Sequence, residues 1–493
     1  MDRLSPLTLH RLPVGILKPD YDRTAVATGI VHLGLGAFHR GHQALYTETL
    51  LKADPRWGIL GVSLRSPDTR DALAPQGGLY SVTASDGAGH QRRVSGALTS
   101  LAVAPEDPAG LLARLADPRV RIVSTTVTEK GYSHDPATGV LRTEDPDIRH
   151  DALNLTHPRT TLGFIVGGLR LRRQQDLPPY TVLACDNLPA NGHTLRGLVI
   201  SFAELIDRDL AKWIAGDVRF PSTMVDRIVP ATTDADRADV GTALGLDDAW
   251  PVVTEPFSQW VIEDDFGGDR PAWDISGAQF VHDVAPFELM KLRLLNGAHS
   301  TIAYLGYLMG CETVAAAMAE PELAGLVEDM MRDEVTPTLP ALGGFDVAAY
   351  RAALLQRFRN PALKHRAAQI AMDGSQKLPQ RLLGTISDRL ARGLPITRLA
   401  LAVAGWMRYV SGTDEKGQPI ELRDPLSARL RALADEAGPV ASRLAPALLS
   451  LTSVFGHELP NEPRFAQAVE AALDSLLKTG AGVTVAQTRR TAR

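Results

Sequence analysis

One short apolar segment of this 493-residue chain carries side chains suited to acid–base chemistry. Residues 288–300 read ELMKLRLLNGAHS and include Lys291, Asn296 and His299. Burial disfavours the charged form of a lysine, so the apolar setting is expected to lower the pKa of Lys291. A lysine that releases its proton near neutral pH can act as a general base. The segment therefore predicts a catalytic lysine.

The spacing predicts that the three side chains share one broad face of a helix. On an ideal helix of about 3.6 residues per turn, His299 lies about 80° round from Lys291 and Asn296 about 140°. Leu292 and Leu295 fall on the same face and would supply its apolar surroundings. The alternative interpretation is a buried helix whose lysine reaches water and whose histidine and asparagine satisfy backbone groups.

Composition restricts the class of protein. The length exceeds that of one ordinary hydrophobic core, which predicts two or more domains. A net charge of −5 gives no nucleic-acid signature. No apolar run reaches the ~18 residues of a membrane span, and the N-terminus lacks the apolar core of a signal peptide. Cys185 and Cys311 form neither a disulfide framework nor a metal-ligand spacing. We therefore expect a cytoplasmic protein without nucleic-acid or membrane partners and without a metal site.

Strand and helix patterns alternate over the first 285 residues, which predicts an α/β domain with a doubly wound parallel sheet. The predicted strands are residues 29–35, 58–64, 80–84, 93–97, 120–127, 180–185, 224–230 and 250–253. The predicted helices are residues 42–51, 162–174 and 195–210.

Helical periods dominate after about Pro286, and we place the domain boundary there, giving domains 1–285 and 286–493. The predicted helices of the second domain are residues 287–309, 312–318, 323–334, 347–358, 399–409, 426–437, 440–451 and 465–478. The C-terminal tail, residues 480–493, is expected to be frayed.

A turn rich in glycine follows the first predicted strand. In VHLGLGAFHRGH, Gly34 and Gly36 fit the dinucleotide-binding pattern GxGxxG, while His39 stands where the third glycine is expected. Such glycines let the backbone approach a pyrophosphate, and a helix N-terminus favours its negative charge. A plain strand-to-helix turn is the alternative interpretation.

The residue that reads the adenosine ribose should follow the second strand. Asp68 lies just beyond Leu64, and a carboxylate there would bind the ribose hydroxyls of NAD and repel the extra phosphate of NADP. Arg65 and Arg70 are near enough to weaken this prediction, and an ordinary turn aspartate is the alternative. NAD rather than NADP is the expected cofactor.

Several blocks of the chain resemble the long-chain mannitol dehydrogenase family, in the family's order and over nearly the whole length. These blocks are IVHLGLGAFHRGHQALY, TVTEKGY, CDNLPANG, MVDRIVP, EPFSQWVIEDDF, KLRLLNGAHS, IAMDGSQKLPQRLL and AVAGWMRYVSGTDEKG. The last two look most like the fructuronate reductase branch, which makes D-mannonate, and less like mannitol 2-dehydrogenases.

The resemblance implies an N-terminal Rossmann-type domain, a mostly α-helical substrate-binding domain and an active site in the cleft between them. It implies zinc-independent hydride transfer between a nicotinamide and a secondary alcohol carbon. Lys291 would be the general acid and base, Asn296 and Asn187 would donate hydrogen bonds to the reacting oxygen, and His299 would orient the substrate. Asp226 would bind substrate hydroxyls or steady the lysine, although a pair with Arg227 is an alternative for it.

The predicted cofactor-binding residues are Gly34, Gly36, Ala37, Phe38, His39, Arg40, Asp68 and Thr128. Lys377 and Arg381 are predicted to bind a sugar hydroxyl or a carboxylate, with helix-surface cations as the alternative. A uronate needs such a cationic partner, for which His365 and Arg366 are further candidates, whereas a neutral polyol does not.

Three functions follow from these observations. The first is an NAD-linked reductase of D-fructuronate, and the second keeps the chemistry with D-mannitol and D-fructose as the substrate pair. The third is a Rossmann-type binding protein that has lost activity, which the intact KxxxxNxxH spacing argues against. The enzyme is expected to be a monomer or a small homo-oligomer.

Overall fold

The computed structural model describes residues 1–87, 89–135, 138–363 and 365–491. The chain forms two compact units, Met1–Ala285 and Pro286–Arg493. Within the described residues, no helix combines the length and the apolar character that crossing a bilayer requires.

Eleven strands are described, and all lie in the first unit. In chain order they are β1 (Thr28–Leu33), β2 (Gly58–Ser63), β3 (Tyr80–Ser85), β4 (His90–Ser95), β5 (Leu98–Val103), β6 (Ile122–Thr125), β7 (Thr181–Ala184), β8 (Thr223–Asp226), β9 (Val252–Thr254), β10 (Gln259–Glu263) and β11 (Gln279–Val281).

The main sheet has five parallel strands in the order β5-β2-β1-β6-β7. Counting these five strands alone, the order is 3-2-1-4-5, as in the Rossmann fold. The order reverses between β1 and β6, where Leu33 pairs with Thr125. Val31 and Leu33 are fully buried because helices cover both faces of a parallel sheet. Ligands bind such sheets at the carboxyl ends of the strands beside this reversal.

Two three-stranded sheets complete the first unit, in the orders β4-β3-β9 and β11-β10-β8. The α-helices described in this unit are Ala37–Gly41, Gln43–Glu48, Asp68–Leu73, Pro108–Leu115, Pro146–Leu153, Thr161–Gln174, Asn191–Glu204, Arg208–Asp217 and Asp234–Leu244. The single helix predicted over residues 195–210 is wrong. The chain breaks at Asp207, whose carboxylate accepts from the backbone N–H groups of Asp209 and Leu210 and so starts a second helix.

The second unit is helical in its described residues. Its α-helices, the first of which begins at the unit boundary, are Ala285–Met290, Gly297–Leu308, Val314–Ala319, Pro321–Asp329, Val347–Phe358, Ala367–Ile370, Gly374–Leu378, Gly384–Ala391, Thr397–Val410, Ser427–Ala437, Ala441–Leu449, Thr452–Phe455, Pro463–Thr479 and Ala481–Thr491. Three segments are π-helical: Lys291–Asn296, Met330–Val335 and Pro379–Leu383. The core is built on Thr397–Val410, which packs against Gly297–Leu308 and Pro463–Thr479.

The frayed tail predicted over residues 480–493 is wrong for the part that the structure describes. Ala481–Thr491 is a helix, and Ala481, Thr484 and Val485 are buried along one face. Arg489 on this helix forms an ion pair with Glu322 at 3.2 Å. Residues three and four positions apart lie on one face of a helix, so Ala481, Thr484 and Val485 give this short helix a buried face.

We expect Val485→Asp to lower the melting temperature clearly, because Val485 is fully buried and an unpaired carboxylate there is costly to bury. Val483→Asp is the matched control, since Val483 is about half exposed in the same helix. Thermal unfolding of both variants provides the measurement. Equal melting temperatures would contradict a docked C-terminal helix.

Candidate active site

The glycine turn after β1 uses its two glycines differently. Gly34 has a φ of +99°, and a Cβ atom there would lie 2.3 Å from the carbonyl oxygen of Thr126. Gly36 is exposed, has a φ of −106°, and a Cβ atom there would meet only the Gly34 oxygen at 3.8 Å. Gly34 is therefore required by the fold, whereas Gly36 leaves open space beside its backbone for a ligand.

A hydrogen-bond relay fixes the first of these glycines. The hydroxyl of Thr126 donates to the carbonyl of Gly34 (2.9 Å), so its oxygen accepts from Nε2 of His32 (2.8 Å). Nδ1 of His32 then accepts from the Ser124 hydroxyl (2.9 Å). Burial lowers the pKa of His32 to about 3, which keeps the ring neutral as this tautomer requires.

His39 fills the position of the third glycine with a ring stack. Its imidazole lies 3.5 Å from that of His32, centroid to centroid, and only 1% of the residue is exposed. Burial lowers the pKa of His39 well below its usual range. The helix that carries it, Ala37–Gly41, has only five residues. The structure therefore gives the His39 side chain a packing role, and its contact with a cofactor stays a prediction.

The other predicted residues of this turn differ in exposure. Arg40 is buried, donates to the carbonyl of Trp250 and lies 5.2 Å from the ring centre of Tyr80. Ala37 and Phe38 are half-buried. Residues on the open side of the turn are better placed to meet a ligand than the Arg40 side chain.

Asp68 is exposed and begins the helix Asp68–Leu73 beyond the end of β2. The hydroxyl of Ser66 donates to its carboxylate at 3.0 Å. Arg70 is already paired, since its guanidinium binds Glu106 (2.7 and 2.9 Å) and Asp71 (2.5 Å). The positive charge of Arg70 is thus largely balanced. It therefore weakens the prediction that Asp68 binds the ribose of NAD less than the sequence alone indicates.

The ends of β6 and β7 are joined by the buried carboxylate of Asp186, which the sequence analysis did not single out. Asp186 accepts from the hydroxyl of Thr125 (2.9 Å), the backbone N–H of Val127 (2.5 Å) and the hydroxyl of Tyr132. Burial raises the pKa of Asp186 to about 6. An aspartate directly before the predicted Asn187 was the signal that could have identified it.

The predicted residues of these strand ends lie at the surface or in the sheet. Asn187 and Thr128 are exposed, in the loops that follow β7 and β6. Asp226 is the last residue of β8, only 3% exposed, and pairs in register with Gln259. Arg227 donates to the carbonyls of Glu255 (2.8 and 3.1 Å) and Gly41 (2.7 Å). These bonds give Arg227 a backbone-bracing role of its own.

In the second unit, Lys291 opens a π-helical turn and Asn296 closes it. The predicted separation of about 140° between them, based on an ideal α-helix, is therefore wrong. A π-helix closes its hydrogen bonds between residues five apart, so two residues at this spacing lie about one turn apart on the same side of the helix. Both residues are half-buried. The spacing of the lysine and the asparagine thus matches one turn of the backbone that carries them.

Arg293 anchors this turn from the inside. Its guanidinium forms an ion pair with Asp388 (2.7 Å) and donates to the Thr338 hydroxyl (2.8 Å), and the residue is 7% exposed. Sequence reasoning missed Arg293, because an arginine on an apolar helix gives no signal of the direction in which it points.

His299 lies in the helix that follows the turn and is 8% exposed. Its ring centre is 4.7 Å from that of Phe358 and 5.2 Å from that of His365. Within the described part of the chain, its Nε2 atom has no hydrogen-bond partner. Burial, followed by the charges of His365, Arg381 and Arg357, lowers the pKa of His299 well below its usual range. The ring is therefore a neutral hydrogen-bonding group.

Arg381, one of the two cations predicted to bind the substrate, packs against the same helix. Arg381 lies in the π-helical segment Pro379–Leu383 and donates to the hydroxyl of Ser300 (3.1 Å). A Cβ atom at Gly297 would lie 2.9 Å from the carbonyl of Arg381, so the glycine permits this close approach. Lys377 donates to the carbonyls of Met372 (2.6 Å) and Ile370 (3.3 Å).

Positive charge collects around His299. Burial lowers the pKa of Arg381 and Lys377, as expected where cations are withdrawn from water. It also lowers the pKa of His365, which favours the neutral ring. Arg357, which the sequence reasoning missed, is 6% exposed and acts electrostatically on His299. Arg366, by contrast, is exposed. Within the described residues, no three His, Cys, Asp or Glu side chains are grouped to hold a metal ion.

The fold and the glycine turn together define a Rossmann-type nucleotide-binding unit, which a helical unit follows in the chain. Two family models match this sequence. The Mannitol dehydrogenase Rossmann domain covers residues 28–275, and the Mannitol dehydrogenase C-terminal domain covers residues 283–477. The chain therefore belongs to the mannitol dehydrogenase family of oxidoreductases, which confirms the resemblance and the fold class predicted from the sequence.

Individual relatives agree over the full length. The D-mannonate oxidoreductase of Escherichia coli K12 is 45% identical over 481 residues, covering 96% of this chain and 98% of that protein. The mannitol 2-dehydrogenase of Pyricularia oryzae is 40% identical over 476 residues, covering 95% and 94%. The structure of Pseudomonas fluorescens mannitol 2-dehydrogenase in a ternary complex with NAD and D-mannitol has a TM-score of 0.84 at 38% identity, covering 98% and 99%.

We expect Gly36→Ala to leave the melting temperature unchanged but to weaken NADH binding about tenfold or more, because the added methyl group occupies the open space beside the turn. Gly34→Ala should instead destabilise the fold, since the methyl group would clash with Thr126. Thermal unfolding and fluorescence titration with NADH separate the two effects. Unchanged NADH affinity in Gly36→Ala would place the pyrophosphate elsewhere.

Proposed function

We propose that this protein is an NAD-dependent, zinc-independent oxidoreductase that interconverts a keto sugar acid and its alcohol, with D-fructuronate and D-mannonate as the substrate pair. The observation that carries the proposal is the π-helical turn that begins at Lys291 and ends at Asn296, followed at once by the helix of the neutral, buried His299, against which Arg381 packs. The turn supports the chemistry, and the arginine supports the acidic substrate.

Lys291 is the proposed general acid and base. In the oxidative direction its neutral amine takes the proton of the substrate hydroxyl, and in reduction its ammonium returns a proton to the forming alkoxide. Negative charge develops on the substrate oxygen in the transition state, so fixed donors at that oxygen lower the barrier. Asn296 and Asn187 are the proposed donors. His299 binds and orients the substrate through its unpaired Nε2 atom, and Asp226 binds substrate hydroxyls.

The residues of the glycine turn fit a dinucleotide. Gly36 leaves its backbone open, and Asp68 presents an exposed carboxylate at the strand end where a ribose is read. A bound NAD supplies the hydride acceptor in oxidation and, as NADH, the hydride donor in reduction. Pairing of Arg70 with Glu106 and Asp71 supports NAD over NADP, because it removes a free cation that would attract a 2′-phosphate.

The cationic surroundings of His299 support an acidic substrate. An arginine withdrawn even in part from water needs a counter-charge or polar partners, and Arg381 is half-buried. Within the described residues, Arg381 forms no ion pair, and the Ser300 hydroxyl is its hydrogen-bond partner. A substrate carboxylate would supply the missing negative charge and would bind a guanidinium through two oxygens. Similarity to a D-mannonate oxidoreductase at 45% identity supports the same choice.

Mannitol 2-dehydrogenase activity is the second candidate. The similarity to a mannitol 2-dehydrogenase structure with NAD and D-mannitol favours it, because that likeness extends over 98% of the chain. A neutral polyol would leave Arg381 without a counter-charge, so we rank this activity second.

We expect purified protein to oxidise NADH with D-fructuronate at a much higher kcat/KM than with D-fructose, and to prefer NADH to NADPH. Lys291→Met should lower kcat about 10²-fold or more while NADH still binds, since it removes the acid–base group. A chelator should leave the wild-type activity intact. Near-normal turnover by Lys291→Met would contradict the mechanism, and preference for D-fructose would favour the second candidate.

Arg381→Gln tests the acidic substrate directly. Losing the positive charge of Arg381 should lower kcat/KM for D-fructuronate about 30-fold or more and change the value for D-fructose little. Arg366→Gln is the matched control, because Arg366 is exposed and nearby in the chain. Parallel loss with both substrates would show that Arg381 has a structural role only.

A further inference from the structure

Asp186 holds the two loops that leave the carboxyl ends of β6 and β7. The backbone ladder between the strands ends where the N–H of Cys185 donates to the carbonyl of Thr125 (2.9 Å). Beyond that point the Asp186 carboxylate takes over, accepting from Thr125, Val127 and Tyr132. All three donors come from β6 or the segment after it, so one side chain fixes the neighbouring loop.

The backbone of the same residue is held from the opposite side. Nδ2 of Asn191 donates to the carbonyl of Asp186 and to that of Thr223, both at 2.8 Å. Oδ1 of Asn191 accepts from the N–H of Thr223 at 2.9 Å. Asp186 is therefore fixed through its side chain and its carbonyl, while Asn187, the next residue, is exposed.

We propose that Asp186 is a positioning residue of the reaction, which fixes the peptide bearing Asn187 and with it the direction of the Asn187 amide. This inference rests on the proposed role of Asn187 as a hydrogen-bond donor to the reacting oxygen. Such a donor acts only when it is held in place before the charge develops. Displacing it by about 1 Å can cost about 10²-fold in rate.

The carboxylate has a titration signature that a neutral structural group lacks. Burial raises the pKa of Asp186 to about 6, while the hydrogen bond from Tyr132 opposes that rise. Among the residues that the structure describes, the titratable groups that face Asp186 are Tyr132, from the turn after β6, and Cys185, which follows β7. Burial raises the pKa of both well above their usual ranges, so both stay neutral. Below pH 6 the protonated carboxyl loses acceptor capacity, and the loops are held less firmly.

The sign of the stability effect separates positioning from unfolding. A carboxyl whose folded-state pKa is raised binds its proton more readily in the folded protein, so acidification through pH 6 favours folding through this group. We therefore expect protonation of Asp186 below pH 6 to lower kcat without lowering the melting temperature.

The test uses the full-length protein with saturating NADH and substrate. Asp186→Asn should lower kcat about 10²-fold at pH 8, leave the affinity for NADH within about threefold, and lose the acid limb near pH 6. Asp151→Asn is the matched control. Like Asp186, Asp151 is buried, and it accepts from the N–H groups of Arg159 and Thr160, but it holds the start of another helix. It should lower the melting temperature and leave kcat unchanged.

Tyr132→Phe provides a second variant that keeps the carboxylate. Loss of the Tyr132 hydrogen bond should raise the pKa of Asp186 further and move the acid limb of kcat to higher pH. An unmoved limb in Tyr132→Phe, or wild-type kcat and an unchanged acid limb in Asp186→Asn, would overturn the proposal. Asn187→Ala separates the two levels of inference. Full activity in Asn187→Ala would refute the role of Asn187. If Asn187→Ala loses activity while Asp186→Asn stays fully active, only the role of Asp186 is refuted.

Discussion

The close approach of Gly34 to the carbonyl of Thr126 is the constraint on which the carboxyl edge of the main sheet depends. No side chain fits between the two backbones, and Gly34 adopts a φ of +99° that other residues rarely reach. The relay through His32 and Thr126 then fixes the carbonyl of the same glycine. The turn that follows is consequently built on a rigid support rather than on a mobile loop. Thr125, the last residue of β6, donates its hydroxyl to Asp186 and so links this rigid turn to the loop after β7.

The second unit uses a comparable device with helices. Gly297 permits the carbonyl of Arg381 to approach the helix after the Lys291–Asn296 turn. The π-helical segments Lys291–Asn296 and Pro379–Leu383 pack on each other there. Two arginines stabilise this arrangement: the buried Arg293 through Asp388, and the half-buried Arg381 through Ser300. In both units a glycine allows backbones to come close, and a buried polar side chain then fixes them. The polar groups that the proposed chemistry needs are thus placed by rigid elements.

The sequence predicted the strands of the main sheet where apolar runs are long and bounded by turns, as in β1, β2 and β7. It missed β5, because LTSLAV follows another strand with only a short break and contains two small polar residues. Residue types and spacing pointed to Lys291, Asn296 and His299. They did not reveal the π-helical turn, because its hydrophobic pattern fits an α-helix equally well. Asp186 and Arg357 were missed because burial and direction, which give them their properties, are not local features of sequence.

A π-helical turn contains one residue more than an α-helix needs to advance to the same point. Between Ala285–Met290 and Gly297–Leu308, Lys291–Asn296 absorbs that additional residue locally, so each flanking helix keeps its own hydrogen-bond ladder. Chain length at this point can therefore change by one residue without rotating the buried faces of either flank. The same insertion or deletion elsewhere in Gly297–Leu308 would turn every subsequent side chain by about 100°. The segment that carries the proposed chemistry is thus also the place where this helix tolerates a change in length.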